Sequence, residues 1–93
     1  MNTYLVTIYG KGGHGAEPHE AIDTTVTAGE FVRKTTKYKN IEILSVKSGD
    51  AFNVISGKAE IILKTDNLEQ LKSILSSLLI YYGEQTKFKI IDM

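Results

Sequence analysis

Strand-like alternation and helix-like repetition follow each other along this chain in the order strand, helix, strand, strand, helix, strand, and that order predicts an α+β fold. Two observations carry the reading. Tyr4, Val6 and Ile8 alternate with Leu5, Thr7 and Tyr9, the period of a strand built from branched and aromatic side chains. Leu68, Leu71, Leu75, Leu78, Leu79 and Tyr82 recur as one continuous apolar helical face. The predicted architecture is ferredoxin-like βαββαβ, a four-stranded antiparallel sheet with both helices on one face.

The remaining elements follow in order. After a glycine-rich loop, Asp23 is placed to cap a first helix in which Thr25, Ala28, Gly29 and Val32 form a stripe flanked by Val26 and Phe31. That helix frays near Lys37. Alternation resumes from Ile41 to Val46, and Ser48-Gly49-Asp50 supplies turn chemistry before a third extended region. This region starts with Phe52 to Ile55, is interrupted by Ser56-Gly57-Lys58, and resumes from Ala59 to Thr65 with Ile61 and Leu63 on one face. Asp66, three residues before Glu69, predicts a capping box for the second helix, and Gly83 stands where a left-handed end cap belongs. Phe88, Ile90 and Ile91 give a short last strand.

Length and charge restrict what such a domain can do. A chain of 93 residues makes one domain, which buries only about 60 to 65% of the surface its unfolded form exposes. Eleven basic residues balance eleven acidic ones without a block of like charge, so no nucleic-acid partner and no anionic membrane surface is expected. There is no cysteine, hence no disulfide framework and no thiolate metal site. The apolar stretches are too short to span a bilayer, and Met1-Asn2-Thr3-Tyr4 lacks the charged start of a signal peptide. A soluble, cytoplasmic protein is the expectation.

The loop Tyr9-Gly10-Lys11-Gly12-Gly13-His14-Gly15-Ala16-Glu17-Pro18-His19 contains G-x-G-x-x-G at Gly10, Gly12 and Gly15. A dinucleotide-binding turn needs the last glycine to open the helix, and an acidic residue at the end of the next strand to take the ribose. Both requirements fail here. Pro18 separates Gly15 from the cap at Asp23, and the second strand runs out into Val46-Lys47-Ser48. His14 and His19, with Glu17 and Glu20 beside them, raise zinc as a second possibility. A catalytic zinc takes three protein ligands in tetrahedral disposition, whereas these histidines lie five apart in an irregular loop. His19 reads more simply as a solvated helix-entry residue. His14 is harder to set aside, because small neighbours leave its ring uncovered and glycine on both sides permits close backbone approach to a ligand. Taken alone, Asn53 reads as turn or bulge chemistry and Lys64 as a solvated strand lysine.

As a set, these residues are recognisable. Gly10-Lys11-Gly12-Gly13-His14-Gly15-Ala16-Glu17-Pro18-His19-Glu20-Ala21-Ile22-Asp23, with Ala51-Phe52-Asn53-Val54-Ile55 further on, resembles the lid or dimerisation domain of the zinc-dependent aminoacylase and carboxypeptidase family, metallopeptidase family twenty. That family includes hippurate hydrolases, N-acetyl-diaminopimelate deacetylases and other N-acyl-amino-acid amidohydrolases. The resemblance covers nearly the whole chain.

The resemblance implies that residues 1–93 form a single lid domain, excised from a larger two-domain metallohydrolase whose other domain holds zinc. It implies no cofactor or metal in this domain, an N-acyl amino acid or small peptide as substrate of the full-length enzyme, and a homodimer formed through an edge strand and the first helix. His14 matches the histidine that enters the other subunit's active site and stabilises the oxyanion, and Asn53 matches a residue that helps hold the substrate. Lys64 stands near the strand end where many relatives carry a substrate-binding arginine; it keeps the charge and lacks the bidentate grip. Thr24 and Ser56 replace prolines common in the family. Two other readings remain on the residues alone: a stand-alone ferredoxin-like module that binds a ligand, and a purely structural dimerisation module.

Overall fold

The computed structural model describes residues 1–10, 13–14, 24–48, 54–55, 57–82 and 87–93, and for residues 13, 14, 24, 54, 55, 79, 81 and 82 their backbone alone. Its elements are β1 (Asn2–Tyr9), β2 (Gly13–His14), α1 (Thr24–Thr35), β3 (Ile41–Ser48), β4 (Val54–Ile55), β5 (Lys58–Thr65), α2 (Leu68–Tyr82) and β6 (Lys87–Asp92). Four strands form the main sheet in the order β3-β5-β1-β6, and each neighbouring pair is antiparallel. The ferredoxin-like expectation therefore holds. The edges are β3 and β6.

The alternation of β1 decides which sheet face is covered. Tyr4, Val6 and Ile8 lie opposite Leu63, Ile61 and Ala59 of β5, and all six are buried under the helices. Ala28 and Phe31 of α1 and Leu71, Ile74, Leu75 and Leu78 of α2 complete this core. Phe88 and Ile90 of β6 pack against its margin. Fully burying a side chain such as Phe31 or Leu75 contributes about 1.5–3 kcal/mol, so this one face supplies most of the apolar stabilisation.

Three local expectations are corrected. The buried stripe of α1 is Thr27, Ala28, Phe31 and Thr35, whereas Thr25, Val26 and Gly29 face outward and Val32 is half-buried. The helix is rotated toward Phe31, its largest apolar side chain. Thr35 tolerates burial because its hydroxyl donates to the Val32 carbonyl at 2.9 Å. At α2, the cap is Asn67 and not Asp66. Asn67 Oδ1 accepts the Gln70 N–H at 3.0 Å, the bond a cap makes to the third helical residue, while Thr65 Oγ1 accepts the Asn67 N–H at 3.1 Å. The third extended region divides between two sheets: Val54–Ile55 pairs with Gly13–His14, and Lys58–Thr65 joins the main sheet. Asp23, Phe52 and Gly83 lie outside the described residues.

Two features shape the ends of the sheet. The β3–β5 register shifts between Ile43 and Ser45, making Leu44 the extra residue of a bulge. Beyond it, Val46 and Ser48 return to the helix side, and Ser48 Oγ lies 2.9 Å from Thr25 Oγ1, which fastens the end of β3 to the start of α1. The Met93 N–H donates to the Thr3 carbonyl at 2.9 Å, so the start of β1 and the end of β6 lie side by side.

Candidate functional site

The glycine loop leaves the main sheet at the end of β1 without losing its neighbour. Tyr9 opposes Lys58, and the Gly10 N–H donates to the Gly57 carbonyl at 2.9 Å. Gly13 then opposes Ile55 and His14 opposes Val54. The β2–β4 pair thus prolongs the β1–β5 ladder past the sheet, offset by a single residue. Opposed residues in such a ladder have Cα atoms roughly 4.5–5.5 Å apart. The backbone of His14 is therefore held next to the residue that follows Asn53.

This extension lies at the end of the sheet remote from the Met93–Thr3 bond. The dinucleotide reading gains no support from it: Gly13 and His14 form a strand, and α1 starts only at Thr24. Asn53, His19, Glu17 and Glu20 lie outside the described residues, as do Gly12 and Gly15. Among the described residues, no group of three or more His, Cys, Asp or Glu side chains could hold a metal ion. A catalytic metal would have to be held by residues other than these.

Lys64 is half-buried on β5, opposite Thr3 on one side and Glu42 on the other. It alternates with Leu63 and Thr65, so it belongs to the sheet face without helices. Six residues separate it from Lys58 at the loop end of the strand, about 20 Å at the rise of a β-strand. The fold pairs the backbone of His14 with that of Val54, and Lys64 is not brought to this pair within one copy of the chain. The β2–β4 pairing itself was not visible in the sequence, because two residues on each side are too few to display a period.

Among the described residues, no helix is long and apolar enough to cross a membrane, which leaves strand-built spans untouched.

The fold and its loop extension define a two-layer α+β domain. A family model described as "Peptidase dimerisation domain" matches residues 1–79, and the chain belongs to that family. N-acetyldiaminopimelate deacetylase from Streptococcus thermophilus is 37% identical over 81 residues, covering 76% of this chain and 22% of that protein. N-acetylcysteine deacetylase from Bacillus subtilis is 26% identical over 108 residues, covering 96% of this chain and 28% of that protein. The chain thus spans about a quarter of the length of these curated relatives. Among solved structures, aminoacylhistidine dipeptidase from Vibrio alginolyticus matches 99% of this chain and 21% of its own, with a TM-score of 0.84 at 15% identity. The aminobenzoyl-glutamate utilization protein from Klebsiella pneumoniae matches 99% of this chain and 27% of its own, with a TM-score of 0.78 at 12% identity. These two likenesses establish the shared fold.

Proposed function

We propose that this domain is the lid and dimerisation domain of a zinc-dependent amidohydrolase that cleaves the amide of N-acyl amino acids, with His14 stabilising the oxyanion in the active site of the partner subunit. The observation that supports the reading is the β2–β4 ladder, which holds the His14 backbone opposite Val54, the residue that follows Asn53 in the sequence. The two curated relatives are named as deacetylases of N-acylated amino acids, in keeping with that substrate class.

Attack on an amide carbonyl moves negative charge onto its oxygen. A donor set for that oxygen lowers the transition state more than the ground state, which raises kcat. An imidazole N–H on a short, paired strand suits the task, and on this reading Asn53 supplies an amide for holding the substrate. Lys64 contributes a positive charge for a substrate carboxylate only if it is brought to the site by a second copy. On this reading the zinc is held by the larger domain of the parent enzyme.

Self-association through β3 and α1 fits the exposed apolar side chains there. Val26 of α1 is 55% exposed, and Leu44 and Val46 of the β3 edge are 46% and 45% exposed. An unpaired edge strand is a template for a second strand, and a two-fold pairing of β3 would continue the sheet across both copies.

Subunit mixing in the full-length enzyme tests action in trans. His14→Ala is expected to lower kcat by about 10² to 10³, with a smaller change in KM. Mixing it with subunits inactivated in the catalytic domain should restore part of the activity that neither parent has. Verified exchange without recovery would reject action in trans, and an unchanged kcat in His14→Ala would return it to an ordinary loop histidine.

A further inference from the structure

A second candidate site lies where the end of α1 meets the middle of α2. The last turn of α1, the residues just after it and the middle of α2 line an open cleft of about 150 Å³, formed by Lys34, Lys37, Tyr38, Ser73, Ile74 and Ser77. Ile74, 8% exposed, forms an apolar floor. Ser73 and Ser77 are one helical turn apart on α2 and present their hydroxyls on the same side. None of these described lining residues is acidic.

The charges around the cleft are divided unequally. Glu30 of α1 is engaged by Arg33 at 2.7 Å, and Glu69 of α2 lies 3.9 Å from Lys72. Among the described residues, neither Lys34 nor Lys37 has an ion-pair or hydrogen-bond partner, and Lys37 Nζ lies 5.9 Å from the centroid of the Tyr38 ring. Nor are they needed to cap α1. The Val32 carbonyl accepts from Thr36 N–H and Thr35 Oγ1, the Arg33 carbonyl from Thr36 Oγ1, and the Thr35 carbonyl from Tyr38 N–H. Two cations are left facing one cleft with three hydroxyls.

From this arrangement we infer that the cleft binds a small oxyanion, a phosphate group in preference to a carboxylate. A cleft of this size has room for a ligand of several heavy atoms such as one phosphate group. Two ammonium groups and three hydroxyls can meet several oxygens of a tetrahedral anion at once, whereas a carboxylate offers two. The negative end of α1 opposes binding with roughly half an elementary charge, and the two lysines outweigh it. The site is independent of His14.

The test is a titration of the isotopically labelled 93-residue chain with inorganic phosphate at constant ionic strength, following the amide resonances of residues 34–38 and 73–77. Saturable shifts confined to these residues are expected, with chloride giving none and acetate binding several-fold more weakly. Lys34→Ala combined with Lys37→Ala should weaken phosphate by about ten-fold or more, a large effect for two partly exposed cations. Replacing both by arginine should retain binding, and unchanged resonances from β1 and β5 would verify the fold of each variant. Shifts that rise linearly with phosphate and match those of chloride would overturn the site. Undiminished binding in the folded double-alanine variant would overturn it equally, and acetate binding as tightly as phosphate would overturn the preference for phosphate.

Discussion

His14 and Val54 oppose each other across a two-residue antiparallel ladder that forms a second sheet, its strands following β1 and preceding β5 in the chain. Only one of its two residue pairs can exchange both backbone hydrogen bonds, so removing one donor is enough to weaken it. Proline placed at Val54 and, separately, at Ile55 should therefore include one variant that loses amide-exchange protection at β2. The thermal midpoint should change little in that variant, because the buried core lies in the other sheet. A collapse of the whole domain in both variants would show that the ladder is part of the core.

Asn67 caps α2 through its bond to the Gln70 N–H. Asn67→Ala is expected to destabilise the domain by about 1 kcal/mol, or about 4–8 °C in Tm for a domain of this size. Asp66→Ala should cost less than half as much. Urea unfolding of the two variants decides between them, and an equal loss in both would make Asp66 a second cap.

Gly29 sits within α1, and a Cβ built there meets nothing within 4 Å. Gly29→Ala should stabilise the isolated domain by roughly 0.5–1 kcal/mol through helix propensity and reduced freedom of the unfolded chain. Phe31→Ala, two residues further along α1 but fully buried, should cost about 3–5 kcal/mol. Denaturant midpoints measure both, and a destabilising Gly29→Ala would mean that the outward face of α1 is occupied in the folded state.

At the β3 edge, Leu44→Asp is the least disruptive test of self-association, because Leu44 is the exposed bulge residue. The domain should stay folded while its dimerisation weakens by about ten-fold or more, equivalent to ~1.4 kcal/mol. Sedimentation across a concentration series reads the change. Unaltered association would direct attention to β6, the other edge.

The parts legible in the sequence were those where side-chain type and burial agree. Tyr4, Val6 and Ile8 announced the covered face of β1, and Leu71, Leu75 and Leu78 that of α2. The face of α1 was obscured because Thr27 and Thr35 are polar by type and buried in fact; for Thr35, a bond to the helix's own backbone removes the contradiction. Adjacent Asp66 and Asn67 are both good caps, and Glu69 three residues after Asp66 pointed to the wrong one, whereas the bond from the Gln70 N–H to Asn67 Oδ1 decides for Asn67. The bulge at Leu44 was likewise hidden, since alternation on either side looks unbroken until the partner strand is known. His14 was conspicuous for its glycine neighbours. Its pairing with Val54 joins distant segments, which no local pattern reports.

The bond from the Met93 N–H to the Thr3 carbonyl bears on how readily such a domain can be moved between proteins. Chain entering at β1 and leaving at β6 does so through neighbouring strands, about 5 Å apart at ordinary strand spacing. A host surface loop could receive the domain without being prised open, because the gap to be bridged is no wider than the mouth of a hairpin. Joining the two ends by a short tether would in turn close the backbone into a ring with little distortion, leaving a cut elsewhere to serve as the new start and finish.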